Sequence, residues 1–173
     1  MADREPVAER PFSADDTVPT PWAEARGRLE KAGTYWLATA RPDGRPHVMP
    51  VLGVWVDGAL SFGAGEASRK GKNLARDPRC VITVGRRALD LVVEGEDAKV
   101  SDSARIHLVA EPFASKYGWR VTVRDGVFYA NGASTAGPPP YAVYEVTSTT
   151  VFGFDTDETF RSTRWRFQRE LVP

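Results

Sequence analysis

The sequence predicts a mainly β protein, a closed or nearly closed antiparallel barrel with helices inserted between strands. Three observations carry that expectation. Strand-like runs follow one another across tight turns, of which Pro42-Asp43-Gly44 and Asp57-Gly58 are the plainest. Helical character is confined to three stretches, near 21–31, 67–76 and 102–117. The resulting order is helix, three strands, helix, two strands, helix and three strands, without the regular alternation of a doubly wound sheet.

Met1 to Thr20 mixes acids, bases and three prolines, and reads as a flexible arm ahead of one domain spanning 21–173. In PWAEARGRLEK, Thr20 is placed to cap a helix and Pro21 to open it, with Trp22, Ala25 and Leu29 on one face. Tyr35 to Ala40 is a strand. A long second strand, Pro46 to Val56, contains Pro50 and Gly53, so it is expected to bulge there or to lie at an edge with backbone free to face a ligand. The Asp57-Gly58 hairpin leads into Ala59 to Gly63, then a flexible link and a helix from Ala67 to Arg76 that stops before Pro78.

Strands are expected at Arg79 to Val84 and Leu89 to Lys99. A helix capped by Ser101 follows from Asp102 to Tyr117, and then a short strand or helix within Trp119 to Tyr129. Asn131 to Pro140 is a loop by composition, open to a reading as a lid. Tyr141 to Thr147 and Val151 to Phe154 read as two strands with a polar break, Asp155 to Ser162 as a charged turn, and TRWRF at 163–167 as a last strand.

Bulk properties narrow the function. At 173 residues and 42% hydrophobic the chain can bury one core. Basic and acidic residues number 23 each, so no global charge draws the protein to nucleic acid or an acidic membrane, and any anion site must be local. No apolar run reaches the length of a membrane span, and one cysteine, Cys80, in an apolar setting fits a reducing cytoplasm and a packing role. His47 and His107 are the only histidines, and no cluster has metal-ligand spacing. Neither a Ser/His/Asp or Cys/His arrangement nor a paired-carboxylate site can be argued, so no catalytic side chain is assigned and hard chemistry would fall to a cofactor.

Three stretches carry candidate binding chemistry. Ser68, Arg69, Lys70, Lys72 and Asn73 stand at the start of a helix behind a glycine-bearing link. Free N–H groups and flexible cations suit an anion there, although an ordinary solvated basic helix has the same spacing. On the second strand His47 and Met49 share one face and Val48 and Pro50 the other, one of them core and the other available to a flat ring. In TRWRF, Thr163, Trp165 and Phe167 share a face opposite Arg164 and Arg166, which suits either an edge strand with solvated arginines or an aromatic and a cation reaching a cofactor across a subunit interface.

The runs ATARPDGRPHVMPV, ASRKGKNLARDPR and TRWRF, in that order and spacing, resemble the pyridoxamine 5'-phosphate oxidase-like flavin-binding split barrels, a family that also includes deazaflavin (coenzyme F-420) reductases. The resemblance, from Gly33 to Phe167, implies a six-stranded split barrel that forms a homodimer with two cofactors at the subunit interface. It implies that His47, Val48, Met49, Pro50, Val51 and Leu52 run beside the flavin, that Gly63 and Ala64 meet it, and that Arg69 and Lys70 hold its phosphate. Lys72 and Asn73 match the reductase-like branch, and Trp165 with Arg166 the C-terminal aromatic and basic positions. The chain ends RWRFQRELVP rather than in the family's substrate-recognising RLAP stretch, and carries Asp90 where a flavin-contacting glutamine falls, which argues against vitamin B6 oxidation. The implied function is hydride transfer between FMN, or alternatively the deazaflavin, and a small conjugated molecule. A flavin carrier without turnover and a haem-binding relative are the competing readings.

Overall fold

A computed structural model describes residues 5–10, 17–85, 88–131, 137–156 and 161–168. Parts of the expected N-terminal arm, the 131–140 loop and the 155–162 turn lie outside the described residues.

The first described strand, β1 (Val7–Glu9), is followed by α1 (Trp22–Lys31), whose Trp22, Ala25 and Leu29 are buried as their spacing predicts. Its cap differs by one position: Pro21 is the extended N-cap and supplies no side-chain bond. Thr20 is instead tied down elsewhere, its N–H donating to Thr163 Oγ1 and its carbonyl accepting from Trp165 Nε1. Glu24 in the first turn and Arg28 and Lys31 in the last complement the helix dipole.

β2 (Tyr35–Ala40) and β3 (Pro46–Val51) form the first hairpin. The long second strand breaks at Leu52, and β4 (Gly53–Val56) then pairs with β5 (Ala59–Ala64) across Asp57-Gly58, both at positive φ as a tight hairpin turn requires. The helix α2 (Arg69–Arg76) is capped by Ser68, whose hydroxyl accepts from the Gly71 N–H, and β6 (Arg79–Val84) and β7 (Leu89–Lys99) follow. The cap of α3 (Ser103–Tyr117) is Asp102 rather than Ser101, its carboxylate accepting from the Arg105 N–H. The segment left open between strand and helix is a hairpin, β8 (Thr122–Arg124) and β9 (Val127–Tyr129), turned on Asp125-Gly126.

Two expected strands near 141–154 are one, β10 (Ala142–Asp155). The polar break is a register shift between Ser148 and Thr150, not an interruption. The last strand, β11 (Ser162–Arg166), is not an edge, because β1 pairs along its outer side.

β10 organises the sheet. Its first half pairs with β5, its second half with β11, and nearly its whole length with β7. From β7 the ladder continues through β6 and β2 to β3. Because β3 runs into β4, and β4 pairs with β5, six strands come round on themselves when β3 and β4 are counted as one broken strand. The ring is joined at Leu52 by the chain and not by a ladder, so it is a split barrel. At the split Gly53 would otherwise lose its partners; its carbonyl accepts from Lys116 Nζ at 3.0 Å and Tyr117 Oη at 2.8 Å, and its N–H donates to the same Tyr117 oxygen. A Cβ here would stand 3.0 Å from the Tyr35 ring and 3.1 Å from Leu60, so a larger residue would have to displace one of them by a few tenths of an ångström.

The barrel interior is packed with Tyr35, Leu37, Phe62, Ile82, Leu91 and Trp165. A second apolar cluster, with Val54, Ile106, Phe113, Trp119, Phe128 and Tyr141, seats α3 and the β8–β9 hairpin on the barrel wall. The rings of Phe113, Trp119 and Phe128 stand edge-on to one another there, the arrangement their quadrupoles favour.

Candidate functional site

The first hairpin and α2 meet at one end of the barrel. Thr39 lies opposite His47 in the β2–β3 register and its hydroxyl donates to the His47 carbonyl. Asn73 Nδ2 donates to Thr39 Oγ1 at 2.9 Å, and Arg76 donates to the carbonyls of Ala40 and Arg41. These bonds fix the second half of α2 over the hairpin. Helical spacing then divides the basic run: Lys70 and Asn73 turn inward, while Arg69 and Lys72 face outward.

Lys70 is only 4% exposed, and burial holds its ammonium below the usual lysine range. His47 is held below the usual imidazole range too, first by desolvation and then by the fields of Arg41, Lys70 and Arg69. Every charge acting on His47 is positive. The Nδ1 of His47 and the Nε of Arg41 are buried and make no hydrogen bond. Buried polar atoms are ordinarily partnered, and these two unbonded nitrogens beside the cations of α2 fit an anionic group such as a phosphate. Arg41 was not singled out in the sequence because it sits in a turn, away from the basic helix; the alternation of arginine with turn residues in ARPDGR gives no sign of it.

A cavity of about 500 Å³ opens beside this corner, between Gly65–Ser68 and Gly137–Pro140. A shallower groove of about 580 Å³ lies across β2, β6 and β7, lined by Ala38, Ala40, Pro46, Val81, Glu94 and Phe167 among others. Beyond Leu52 no ladder covers the outer edge of β3 among the described residues.

The sequence model of the pyridoxamine 5'-phosphate oxidase family matches residues 21–155. The chain belongs to that family. No protein of curated function matches it. Among solved structures, an FAD-binding protein from Mesorhizobium loti superposes with a TM-score of 0.59 at 14% identity, over 94% of this chain and 99% of its own. General Stress Protein 26 from Bacillus anthracis gives 0.56 at 16% identity, over 76% and 91%. A heme binding protein from Mycobacterium smegmatis gives 0.58 at 17%, over 79% of this chain and 55% of that one. At these identities the likeness is one of fold.

The family resemblance implies contacts that the structure distributes unevenly. His47, Met49 and Val51 share the face of Leu37 and Thr39, and Val48 and Pro50 share that of Trp36 and Ala38. Leu52 packs on the second apolar cluster. Ala64 is fully buried, and Gly63 faces Tyr141, Trp119 and Phe128. Ser68 spends its hydroxyl on the helix cap and Asn73 its amide on Thr39, so both position α2.

Of the C-terminal pair, Trp165 requires correction. Trp165 is 0% exposed: its ring lies against Trp22 at 5.8 Å and against Gly153, and its Nε1 is bonded to Thr20, leaving no surface for a cofactor. Arg166 lies 3.5 Å from Glu9, and Arg164 binds the same carboxylate, so both arginines are drawn to β1 rather than to the α2 corner. Among the described residues no group of three possible metal ligands occurs, and no helix is long and apolar enough to cross a membrane.

Proposed function

We propose that the protein is a cytoplasmic oxidoreductase that binds FMN and exchanges hydride with a small conjugated molecule. The observation that carries the reading is the convergence of Arg41, His47, Arg69 and Lys70, with buried, unbonded nitrogens on Arg41 and His47, at the corner where the resemblance puts the family's basic pair. When bound, the flavin supplies the hydride chemistry. The chain's own share is binding and orientation: the cations hold the phosphate, α2 is fixed by Asn73 and Arg76, and the free edge of β3 offers backbone groups to the ring. Deazaflavin is the alternative, since it presents a phosphate to the same corner.

Trp36 and Val48 are 48% and 50% exposed on one face of the β2–β3 hairpin, an apolar patch that supports a homodimer with the cofactor at its interface. Titrations of the purified protein with FMN and with the deazaflavin, followed by flavin fluorescence and absorbance, test the reading. Low-micromolar binding of either, with turnover of quinones, nitro compounds or enones, is expected. Failure of both to bind refutes the cofactor, and tight binding without turnover refutes the enzyme in favour of a carrier.

A further inference from the structure

We infer that the Lys116 amine is a site of acylation, taking an acyl group from an activated donor, an acyl phosphate or an acyl thioester, and that the adduct loosens the barrel where it is split. This does not rest on the flavin-nucleotide reading.

Three elements set the position. Lys116 is the next-to-last residue of α3 and half-buried; its Nζ donates to the Tyr35 hydroxyl of β2 at 2.8 Å and to the Gly53 carbonyl of β4 at 3.0 Å. Both acceptors are uncharged. The faces of the Tyr35 and Tyr117 rings lie 4.8 and 5.2 Å from the nitrogen. Glu30 of α1, the carboxylate whose field reaches the amine, is paired with Arg26 at 3.5 Å.

The hydrogen-bond count separates this lysine from an ion-paired one. An ammonium has three N–H groups and a neutral amine has two and a lone pair. Two suffice for the Tyr35 and Gly53 oxygens, so losing the proton breaks neither bond and leaves the lone pair free to attack. Lys99, 2.7 Å from the Glu66 carboxylate, would lose its ionic attraction in the same step. The ring faces and the C-terminal end of α3 draw a cation to Lys116, but desolvation opposes them and prevails, holding the group at about 8.

The free base is the nucleophile. Its lone pair forms a C–N bond to the acyl carbon, the donor's C–O or C–S bond breaks, phosphate or thiolate leaves with the electron pair, and the nitrogen gives up a proton to water. The product is an amide with a single N–H, which cannot serve both Tyr35 and Gly53, and its acyl group adds volume between α3 and the strand break. Gly53 retains its bonds to Tyr117, so the split loosens without coming apart.

The test treats the full chain separately with acetyl phosphate and with acetyl-coenzyme A, and follows acetylation of each lysine by mass spectrometry of its peptides. Lys31, exposed at the end of α1, and Lys99 serve as references, because Lys70 and Lys72 belong to the basic helix α2, where a phosphate donor would concentrate. At about pH 7.5 Lys116 is expected to react about tenfold faster than either reference with both donors, and the advantage to vanish in urea. Its rate is expected to level off above about pH 8 as the free base saturates. After acetylation at Lys116, the Gly53 amide hydrogen is expected to exchange about tenfold faster.

If Lys116 reacts no faster than the references, if the preference appears with one donor only, or if it persists in urea, the acylation site is overturned. A rate that still climbs about tenfold per pH unit as far as pH 10 overturns it too. Unchanged exchange at Gly53 after acetylation overturns the loosening of the split.

Discussion

Asp97 offers the sharpest test of how the barrel handles charge. Along β7 the inward row is Leu89, Leu91, Val93, Gly95 and Asp97, so the last position of an apolar row carries a carboxyl. Its Oδ1 is buried and makes no hydrogen bond, and burial pushes the acid up to about 7 from the ordinary 3.8. The carboxylate also helps push the Cys80 thiol and the Tyr144 phenol up to about 12.

Each tenfold change in an acid constant is worth about 1.4 kcal/mol, so ionising Asp97 inside the fold costs at most about 4 kcal/mol. The sign follows from the raised folded value. The unfolded chain ionises from pH 3.8 upward while the folded one keeps its proton until about 7, so stability is greatest below 3.8, declines to about 7 and is level above it. Asp97→Asn keeps the shape and removes the ionisation. The variant is expected to match the parent at pH 4 and to exceed it by about 2–4 kcal/mol at pH 8, read from urea midpoints by tryptophan fluorescence. Equal midpoints at pH 8, or a less stable variant, would refute the reasoning.

Three further expectations use the same measurement. Gly71→Ala ordinarily stabilises a helix by about 1 kcal/mol; here the new Cβ would stand 2.7 Å from the Gly65 carbonyl and 2.8 Å from that of Glu66, so a loss of about 1–3 kcal/mol is expected, and a gain would show that α2 can shift freely. Arg105 bonds Glu145 at 2.8 Å, Asp57 and the Val56 carbonyl, so Arg105→Ala should cost about 2–4 kcal/mol by leaving Glu145 half-buried without its cation, with Arg105→Lys restoring only part. Burial holds the Lys116 ammonium down at about 8, well under the usual 10.5, so the folded state sheds its proton first and stability should rise from pH 8 towards 10. In Lys116→Met that rise should vanish; a persistent rise would assign it to another group.

Much of the fold was legible because its signals are local. Asp57-Gly58 turned where expected, since the aspartate and glycine accept positive φ and no tertiary contact is needed to bring that about. The same dipeptide at 125–126 also turned a hairpin, but its flanking strands are three residues each and alternate too briefly to be read. The errors are tertiary. Polar residues at 147–150 interrupt the apolar pattern of β10 without interrupting the strand, because a bulge there is stabilised by pairing to β7 on one side and to β5 and β11 on the other. Trp165 was placed on the correct face of its strand, and only the packing of Trp22 and Gly153 shows that this face is core. At the candidate site, Arg69 and Lys70 were legible as a run. Arg41 was not, because its place beside Arg69 and Lys70 depends on α2 crossing the hairpin, where Arg76 donates to the Arg41 carbonyl.

The strand β3 connects the fold to the site through the kinds of residue it contains. Breaking the ring at Leu52 frees one edge of 46–51, and a free edge is a template for another strand. Pro46 and Pro50 cannot donate to a ladder, so they weaken that outcome along a strand only six residues long. What remains is an edge with acceptors and few donors, an apolar outer face at Trp36 and Val48, and a cationic corner at its start. A neighbouring strand would satisfy the first of these alone. A ligand with a flat ring and an anionic tail, covered by a second copy of the chain, satisfies all three, which is why the proposed cofactor and the proposed dimer stand or fall on the same strand.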